Sequence, residues 1–303
     1  MDDPETIHRF AEGDRIVVIA NPATRVRART IARILTGAVP PGVSMELRWT
    51  DAPGAGVALA REAVRYADAV VAVGGDGTVA DVASALIGTD VPLGILPGGS
   101  TNIVAREHGI PTDLEAAARL LFGRHHRRAI DAGVCNDRPF LHMAGSGFDS
   151  VLFEIANVDL KRRVGWMAYL PAAMQALRVP PVSYTVVTGE GEQFTQTSPL
   201  VLVANGASII HPDLRLSDTI RADDGWLDLM IVTATTPPQL ASVIGRLMTL
   251  RFESSPLVIH RRVREVWVDA SRLMPVQLDG DVVERTPAHF SIRQKAIHLI
   301  VPA

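Results

Sequence analysis

Two short stretches hold residues whose types and order suit the binding of an anion. Gly74-Gly75-Asp76-Gly77-Thr78 follows the apolar run ADAVVAV and opens an amphipathic stretch; Gly98-Gly99-Ser100-Thr101-Asn102 does the same after PLGILP. A turn from strand to helix leaves backbone N–H groups unpaired at the positive end of the helix dipole, and phosphate binds there. Glycine suits such a turn because a side chain would hold a phosphate away from the backbone. One Gly-Gly pair is more simply a tight turn, whereas two in the same setting point to phosphate. Asn21-Pro22 ends the first apolar run as a third polar strand end. In a parallel sheet all three lie on the carboxyl rim, where a nucleotide crevice forms. Asp76 beside phosphates would be repelled unless a cation or a donor intervened, so it speaks either for Mg²⁺ or for an aspartate that caps its own turn. In QLDGD, Asp279 and Asp281 flank a glycine; paired carboxylates suit proton transfer, and Asp-Gly equally suits a plain hairpin turn.

Other phosphate-binding designs are absent. No G-x-x-x-x-G-K-[ST] occurs, and GAGVAL at residues 54–59 places Leu59 where the dinucleotide fingerprint has Gly or Ala. That stretch reads as a helix start.

The elements that must position these residues follow from hydrophobic periodicity. From residue 15 to about 108, β-branched runs (RIVVIANP, SMELRWT, ADAVVAV, PLGIL) alternate with amphipathic stretches (TRVRARTIARIL, GVALAREAVRYA, TVADVASALIG, TNIVARE), the rhythm of a parallel α/β sheet. After the first glycine turn, Val79, Val82, Ala83 and Leu86 recur at helical spacing, which predicts a helix with one buried face. Beyond DLEAAARLLFG the pattern changes to short alternating runs, among them VSYTVVT, PLVLVAN, LDLMIV, VREVWVDA and HFSIR, separated by Gly, Asp and Pro. This predicts an antiparallel β domain. Two helical stretches interrupt it, KRRVGWMAYLPAAMQAL and PPQLASVIGRLMTL, and Pro171 should kink or shorten the first.

With 303 residues, 47% of them apolar, the chain can form about two packed domains. Its 30 basic and 33 acidic side chains leave a formal charge of −3, which gives no electrostatic grip on nucleic acid. The clusters His125-His126-Arg127-Arg128 and His260-Arg261-Arg262 read as solvated faces, or as contacts for anionic lipid head groups. Trp166, Met167, Tyr169 and Leu170 read as core, or, with Lys161, Arg162 and Arg163 beside them, as an interfacial patch. Cys135 is the single cysteine, so no disulfide or cysteine metal cluster forms within the chain, which fits a reducing compartment and a buried thiol. The N-terminal MDDPETIHRFAEGDR lacks the apolar core of a signal peptide, so no export is expected. VGWMAYLPAAM falls short of the ~20 residues that span a bilayer. Any meeting with a membrane is therefore expected from the side. Edge strands of the β half offer a route to a homodimer.

GGDGT after a strand, followed by PGGSTN, resembles the diacylglycerol kinase catalytic family, which includes bacterial soluble lipid kinases and the sphingosine and ceramide kinases; NAD kinases share GGDGT more distantly. Asn21-Pro22, the Thr50 that ends the second strand, FLHMAGSGFDSVLFE, VLVANG, ADDGWLDLMIV and VQLDGD resemble further elements of the family, in its order. The resemblance implies an α/β, Rossmann-like nucleotide-binding domain over residues 1–133, to which a last strand at 290–303 returns, and an antiparallel β-sandwich lipid domain over 134–289, with catalysis in the cleft between. It implies an ATP- and Mg²⁺-dependent lipid kinase that phosphorylates a hydroxyl of diacylglycerol or a related long-chain alcohol. The enzyme would be cytoplasmic and peripherally associated with the inner face of the membrane.

The same resemblance assigns roles. Asn21, Pro22, Thr50, Gly74, Gly75, Asp76, Gly77, Thr78, Gly99, Ser100, Thr101 and Asn102 would contact the nucleotide. Asp281 stands at the family's catalytic Glu, the proton acceptor, one methylene shorter, so that Asp279 is the alternative base; Asp131 matches an acidic position nearby. Mg²⁺ would be held by the Asp224 carboxylate with the backbone carbonyls of Arg221 and Trp226. Two further departures are Ile103, where the family often has Asp, and ASIIHPDLRL, where it often has consecutive glycines. They motivate a second reading, a nucleotide- or lipid-binding homologue without catalysis; NAD kinase is a third.

Overall fold

The computed structural model describes residues 6–24, 26–148, 150, 180–209 and 211–303. The stretch KRRVGWMAYLPAAMQAL, with Pro171 and the neighbouring basic and aromatic residues expected there as core or interfacial patch, lies outside the described residues. The chain divides into two compact units, Met1–Ile130 with Lys295–Ala303, and Asp131–Gln294.

In the first unit, strands β1 (Arg15–Ala20), β2 (Ser44–Trp49), β3 (Ala69–Gly74) and β4 (Leu93–Pro97) alternate with helices α1 (Ala28–Ala38), α2 (Ala55–Ala63), α3 (Asp76–Leu86) and the short α4 (Ile103–Glu107), before α5 (Leu114–Phe122). The strands pair in parallel, in the order β2-β1-β3-β4. Every residue of β3 is buried, as its unbroken apolar run requires of a central strand with both faces covered. Helix α1 packs with α5 and α2 with α3. Thr78, Val79, Val82, Ala83 and Leu86 form the buried side of α3, in agreement with the helical spacing. Residues 54–59 do begin a helix: Gly54, at φ 78°, precedes α2.

The chain enters this sheet at β1, adds β2 on one side and then crosses to β3 on the other. Neighbouring strands whose connections leave in opposite directions open a crevice at their carboxyl ends. Asn21 and the GGDGT turn stand at that point.

The second unit begins within β5 (His125–Cys135) and continues through β6 (Arg138–Phe140), β7 (Met143–Gly147), β8 (Val182–Thr188), β9 (Gln193–Ser198) and β10 (Leu200–Ala204). A small ribbon of β11 (Ser208–Ile209) and β12 (His211–Arg215) precedes β13 (Leu227–Val232), helix α6 (Pro237–Met248), β14 (Val258–Val263), β15 (Glu265–Ala270), β16 (Pro275–Leu278), β17 (Asp281–Arg285) and β18 (Ala288–Pro302). One six-stranded sheet runs β14-β13-β10-β7-β16-β17, antiparallel at every pairing. In the other, β15 pairs with β8 and with the first half of β18, and β9 forms the edge. Phe140, Tyr184, Val186, Val266 and Phe290 meet Val201, Val203, Leu229, Ile231 and Val276 in a shared core, which makes this unit a β-sandwich.

The runs PLVLVAN and LDLMIV lack polar alternation for a structural reason. Val201, Val203, Leu229 and Ile231 face the sandwich core, while Leu202, Met230 and Val232 face a second core with Val243 of α6 and Phe252. Cys135 is buried, and the apolar surroundings push its thiol up to about 12. Among the described residues no helix is long and apolar enough to cross a membrane.

The second half of β18 belongs to the first unit, where Leu299 pairs in parallel with Leu93 of β4. Ala296 accepts a hydrogen bond from the Gly88 amide there, at 2.9 Å.

Candidate functional site

In the first unit the two glycine turns lie against each other. A Cβ on Gly99 would stand 2.6 Å from the Gly75 Cα, and one on Gly98 would stand 3.4 Å from the Gly74 Cα and 3.2 Å from the Thr24 Cβ. A Cβ on Gly74 would meet the Thr78 Oγ1 at 2.4 Å. The Gly98 amide donates to the Gly74 carbonyl at 2.7 Å. Glycine is thus required by the approach of one turn to the other, a constraint the sequence had suggested only for the approach of a ligand.

The first intrahelical hydrogen bond of α3 runs from the Val79 amide to the Gly75 carbonyl, so the amides of Asp76, Gly77 and Thr78 precede it. Gly77 is exposed and Thr78 buried. Asp76 is the first residue of α3, where the helix dipole favours a carboxylate.

Asn21 fixes the end of β1 to this turn. Its Nδ2 donates to the Thr78 Oγ1 at 3.2 Å, its Oδ1 accepts from the Ala23 amide at 2.8 Å, and its amide donates to the Val73 carbonyl. Pro22 is exposed beside it, and the Thr50 amide donates to the Ala20 carbonyl. In the second turn Ser100 is exposed and Asn102 buried, at φ 50°. The Asn102 Oδ1 accepts from the Gly99 amide at 2.9 Å and its Nδ2 donates to the Gly99 carbonyl at 3.0 Å. Asn102 therefore shapes its turn from within. The Arg106 Nε donates to the Thr101 carbonyl. Ile103 opens α4 as a buried residue.

In the second unit, hydrogen bonds join segments that are remote in sequence. Asp279 at φ 50° and Gly280 at φ 93° form the two-residue turn between β16 and β17, both in the left-handed region, as a type I′ hairpin requires. The Asp279 carboxylate accepts three backbone N–H groups: Oδ2 from Leu141 at 2.8 Å, and Oδ1 from His142 at 2.9 Å and Met143 at 3.0 Å. Those bonds consume the carboxylate as an anchor. Asp281, two residues on, pairs across the hairpin with Leu278 and is exposed.

The anchored segment is held from its other side as well. The Asn205 Nδ2 donates to the Leu141 carbonyl at 2.6 Å and to the Asp131 carbonyl at 3.0 Å, and the Asn205 and Gly206 amides both donate to the His142 carbonyl. Asp131 is 1% exposed. Its Oδ2 accepts from the Gly225 amide at 2.7 Å, and its own amide donates to the Ala222 carbonyl at 2.6 Å. AIDAG, FLHM, VANG, ADDGW and QLDGD thus form one hydrogen-bonded cluster.

Asp224 accepts from the Trp226 amide at 3.1 Å through Oδ1 and from the Arg262 guanidinium at 2.5 Å through Oδ2. Burial raises its pKa above the usual carboxylate value, and the charges of Asp228 and Asp131 add to this, while Arg262 and the Trp226 amide pull it down. Arg221 pairs with Asp223 at 3.0 Å, and Arg262 and Arg264 lie 5.3 and 4.5 Å from the Trp226 ring centroid. A resident cation at Asp224 would have to displace Arg262, so this donor set as arranged does not fit one. Among the described residues there is no group of three or more His, Cys, Asp or Glu that could hold a metal ion.

Sequence reasoning named no site role for Asn205 or for His142, whose Nε2 lies 2.7 Å from the Ser208 carbonyl, and it read His260, which pairs with Asp228 at 2.6 Å, only as part of a solvated or lipid-contacting cluster. The available signal was a polar residue directly after an apolar strand, as Asn205 follows LVLVA.

Residues 15–135 match the diacylglycerol kinase catalytic domain, and residues 142–301 match the YegS C-terminal NAD kinase β-sandwich-like domain. The chain is 32% identical over 273 residues to a Pseudomonas aeruginosa protein named "probable lipid kinase YegS-like", covering 86% of this chain and 85% of that one. It is 30% identical over 237 residues to a Synechocystis protein, spanning 77% of this chain and only 54% of that protein's length. A crystal structure described as a candidate diacylglycerol kinase of Bacillus anthracis superposes with a TM-score of 0.80, covering 95% of this chain and 97% of that one at 22% identity, a likeness of fold. With both halves matched in order, the chain belongs to the lipid kinase family defined by the diacylglycerol kinase catalytic domain and the YegS β-sandwich.

Proposed function

We propose that the protein transfers the γ-phosphoryl group of ATP to a hydroxyl of diacylglycerol or a related long-chain lipid alcohol. ATP enters as its magnesium complex, so the cation is a co-substrate. The observation that carries this reading is the pair of glycine turns pressed together at the carboxyl edge of the parallel sheet, with the first amides of α3 beside them. Their N–H groups would take the charge of the triphosphate.

The acceptor side of the reaction is assigned to the second unit. The lipid oxygen attacks the γ-phosphorus, the bond from that phosphorus to the β,γ-bridging oxygen breaks, and ADP leaves. The hydroxyl proton passes to Asp281, because Asp279 is consumed by three amides and serves to position the hairpin. The acceptor would be met at the inner face of the cytoplasmic membrane, through peripheral association.

Label transfer from γ-labelled ATP to a panel of lipids in mixed micelles tests the reading. Wild type should label a glycerolipid, Asp281→Asn should lose about 10²-fold or more of kcat, and Asp281→Glu should stay active. Label in NADP from added NAD, with none in lipid, would replace the lipid kinase by an NAD kinase. A second reading, a binding protein without catalysis, is favoured by the buried Ile103 and by Arg262 on Asp224; nucleotide binding with no transfer to any lipid would establish it.

A further inference from the structure

At the C-terminal end of α6 three large apolar side chains stand exposed: Ile244 at 53%, Met248 at 64% and Leu250 at 55%. Ile244 and Met248 lie one turn apart on the helix, away from Val243, which faces the core together with the partly buried Leu240 and Leu247. The end of the helix is a tightly closed turn. The Arg251 amide donates to the Arg246 carbonyl at 2.7 Å and the Leu250 amide to the Leu247 carbonyl at 3.2 Å, the two bonds of a Schellman cap. The position that ends such a cap adopts the left-handed conformation and is ordinarily glycine. Here it is Leu250, at φ 56°. A bulky side chain is thus held in a strained backbone and turned to the outside.

The charge around this tip is net basic, two arginines against Glu253. Residues 237–252, PPQLASVIGRLMTLRF, contain Arg246 and Arg251 and no Asp or Glu. The next acid, Glu253, accepts a hydrogen bond from the Thr219 hydroxyl at 3.5 Å.

We propose that the end of α6 docks the protein on an anionic phospholipid bilayer, Ile244, Met248 and Leu250 entering the boundary between head groups and acyl chains while Arg246 and Arg251 meet lipid phosphates. The choice of a bilayer as occupant rests on the lipid kinase reading, which puts the acceptor in a membrane, and on the two arginines, Arg246 and Arg251, that flank the exposed apolar side chains. So few apolar side chains give weak, reversible and salt-sensitive binding.

The test is co-sedimentation of the full chain, without nucleotide, with vesicles of phosphatidylcholine alone or mixed with phosphatidylglycerol. Binding is expected to the mixed vesicles, falling with added salt. Leu250→Gly and Met248→Asp should each weaken it about tenfold, and Arg251→Gln should flatten its salt dependence. Leu250→Gly relieves the backbone strain, so its melting temperature should equal or exceed that of wild type. The proposal is overturned if wild type ignores anionic vesicles, if both apolar variants bind as wild type does, or if Leu250→Gly melts lower. It is also overturned if the variants change the oligomeric state in sedimentation velocity and leave vesicle binding intact. Failure of the kinase reading would show elsewhere, as absence of label transfer in micelles, with vesicle binding unchanged.

Discussion

Asp279 and Asp281 stand two residues apart and do different work. The three amides on Asp279 come from residues 136 to 138 positions away in sequence, so its carboxylate ties a hairpin to a distant strand start. Asp279→Ala should cost about 3 kcal/mol in urea unfolding, because three donors lose a charged acceptor. Asp281→Asn, on the exposed side, should remove transfer while costing less stability than Asp279→Ala. Nothing in QLDGD distinguishes the two carboxylates, since the difference lies in partners that only folding supplies.

His125 is a second residue whose state depends on its surroundings. It is fully buried beside Phe10 and His8, and burial lowers its pKa to about 4, with the charges of Arg127 and His8 in the same direction and the carbonyls of Gly123 and Leu121 opposing. The folded state therefore keeps it neutral while the unfolded chain takes a proton below about 6.5. Its contribution is intact above that pH and is lost as pH falls toward 4. Between pH 7 and 5 the loss should be about 2 kcal/mol, read as the difference in urea stability between wild type and His125→Gln. The sequence placed this histidine on a solvated face because HHRR is polar as a string, whereas the alternation of a strand turns its first residue inward.

At the scale of elements, the βα alternation of the first half was plain in the sequence because each strand is a run of β-branched residues between helical periods. The glycine turns were legible in position but only partly in cause. Gly99→Ala would drive a Cβ into the backbone of the neighbouring turn at Gly75, where no side chain can rotate aside. The variant should lose about 2 kcal/mol of stability and at least about tenfold in ATP affinity by calorimetry. A phosphate-blocking role alone would leave stability untouched. The β half was legible as strands, since turn residues punctuate it, but its pairing was not. That β10 lies between β7 and β13, and that α6 covers one face of their sheet, follows from which apolar rows find partners.

At the scale of the whole molecule, the chain crosses from the first unit to the second at residues 130–131 and returns at 294–295, both times within a strand. The returning segment brings Ile297, Leu299, Ile300 and Val301, each at most 1% exposed, to the first unit. Deleting residues 295–303 should remove at least about 6 kcal/mol of apolar burial from the first unit. Loss of the far-UV and near-UV circular dichroism of the α/β sheet, or insolubility on expression, is the expected outcome.

That returning strand also sets a timetable. During synthesis the segment that forms β1 to α5 leaves the ribosome first, yet its sheet lacks the strand beside β4 until the stretch after residue 294 has emerged. The nascent nucleotide unit must wait, with the flank of β4 bare, for the whole β-sandwich to be translated, and that interval is where a chaperone would act.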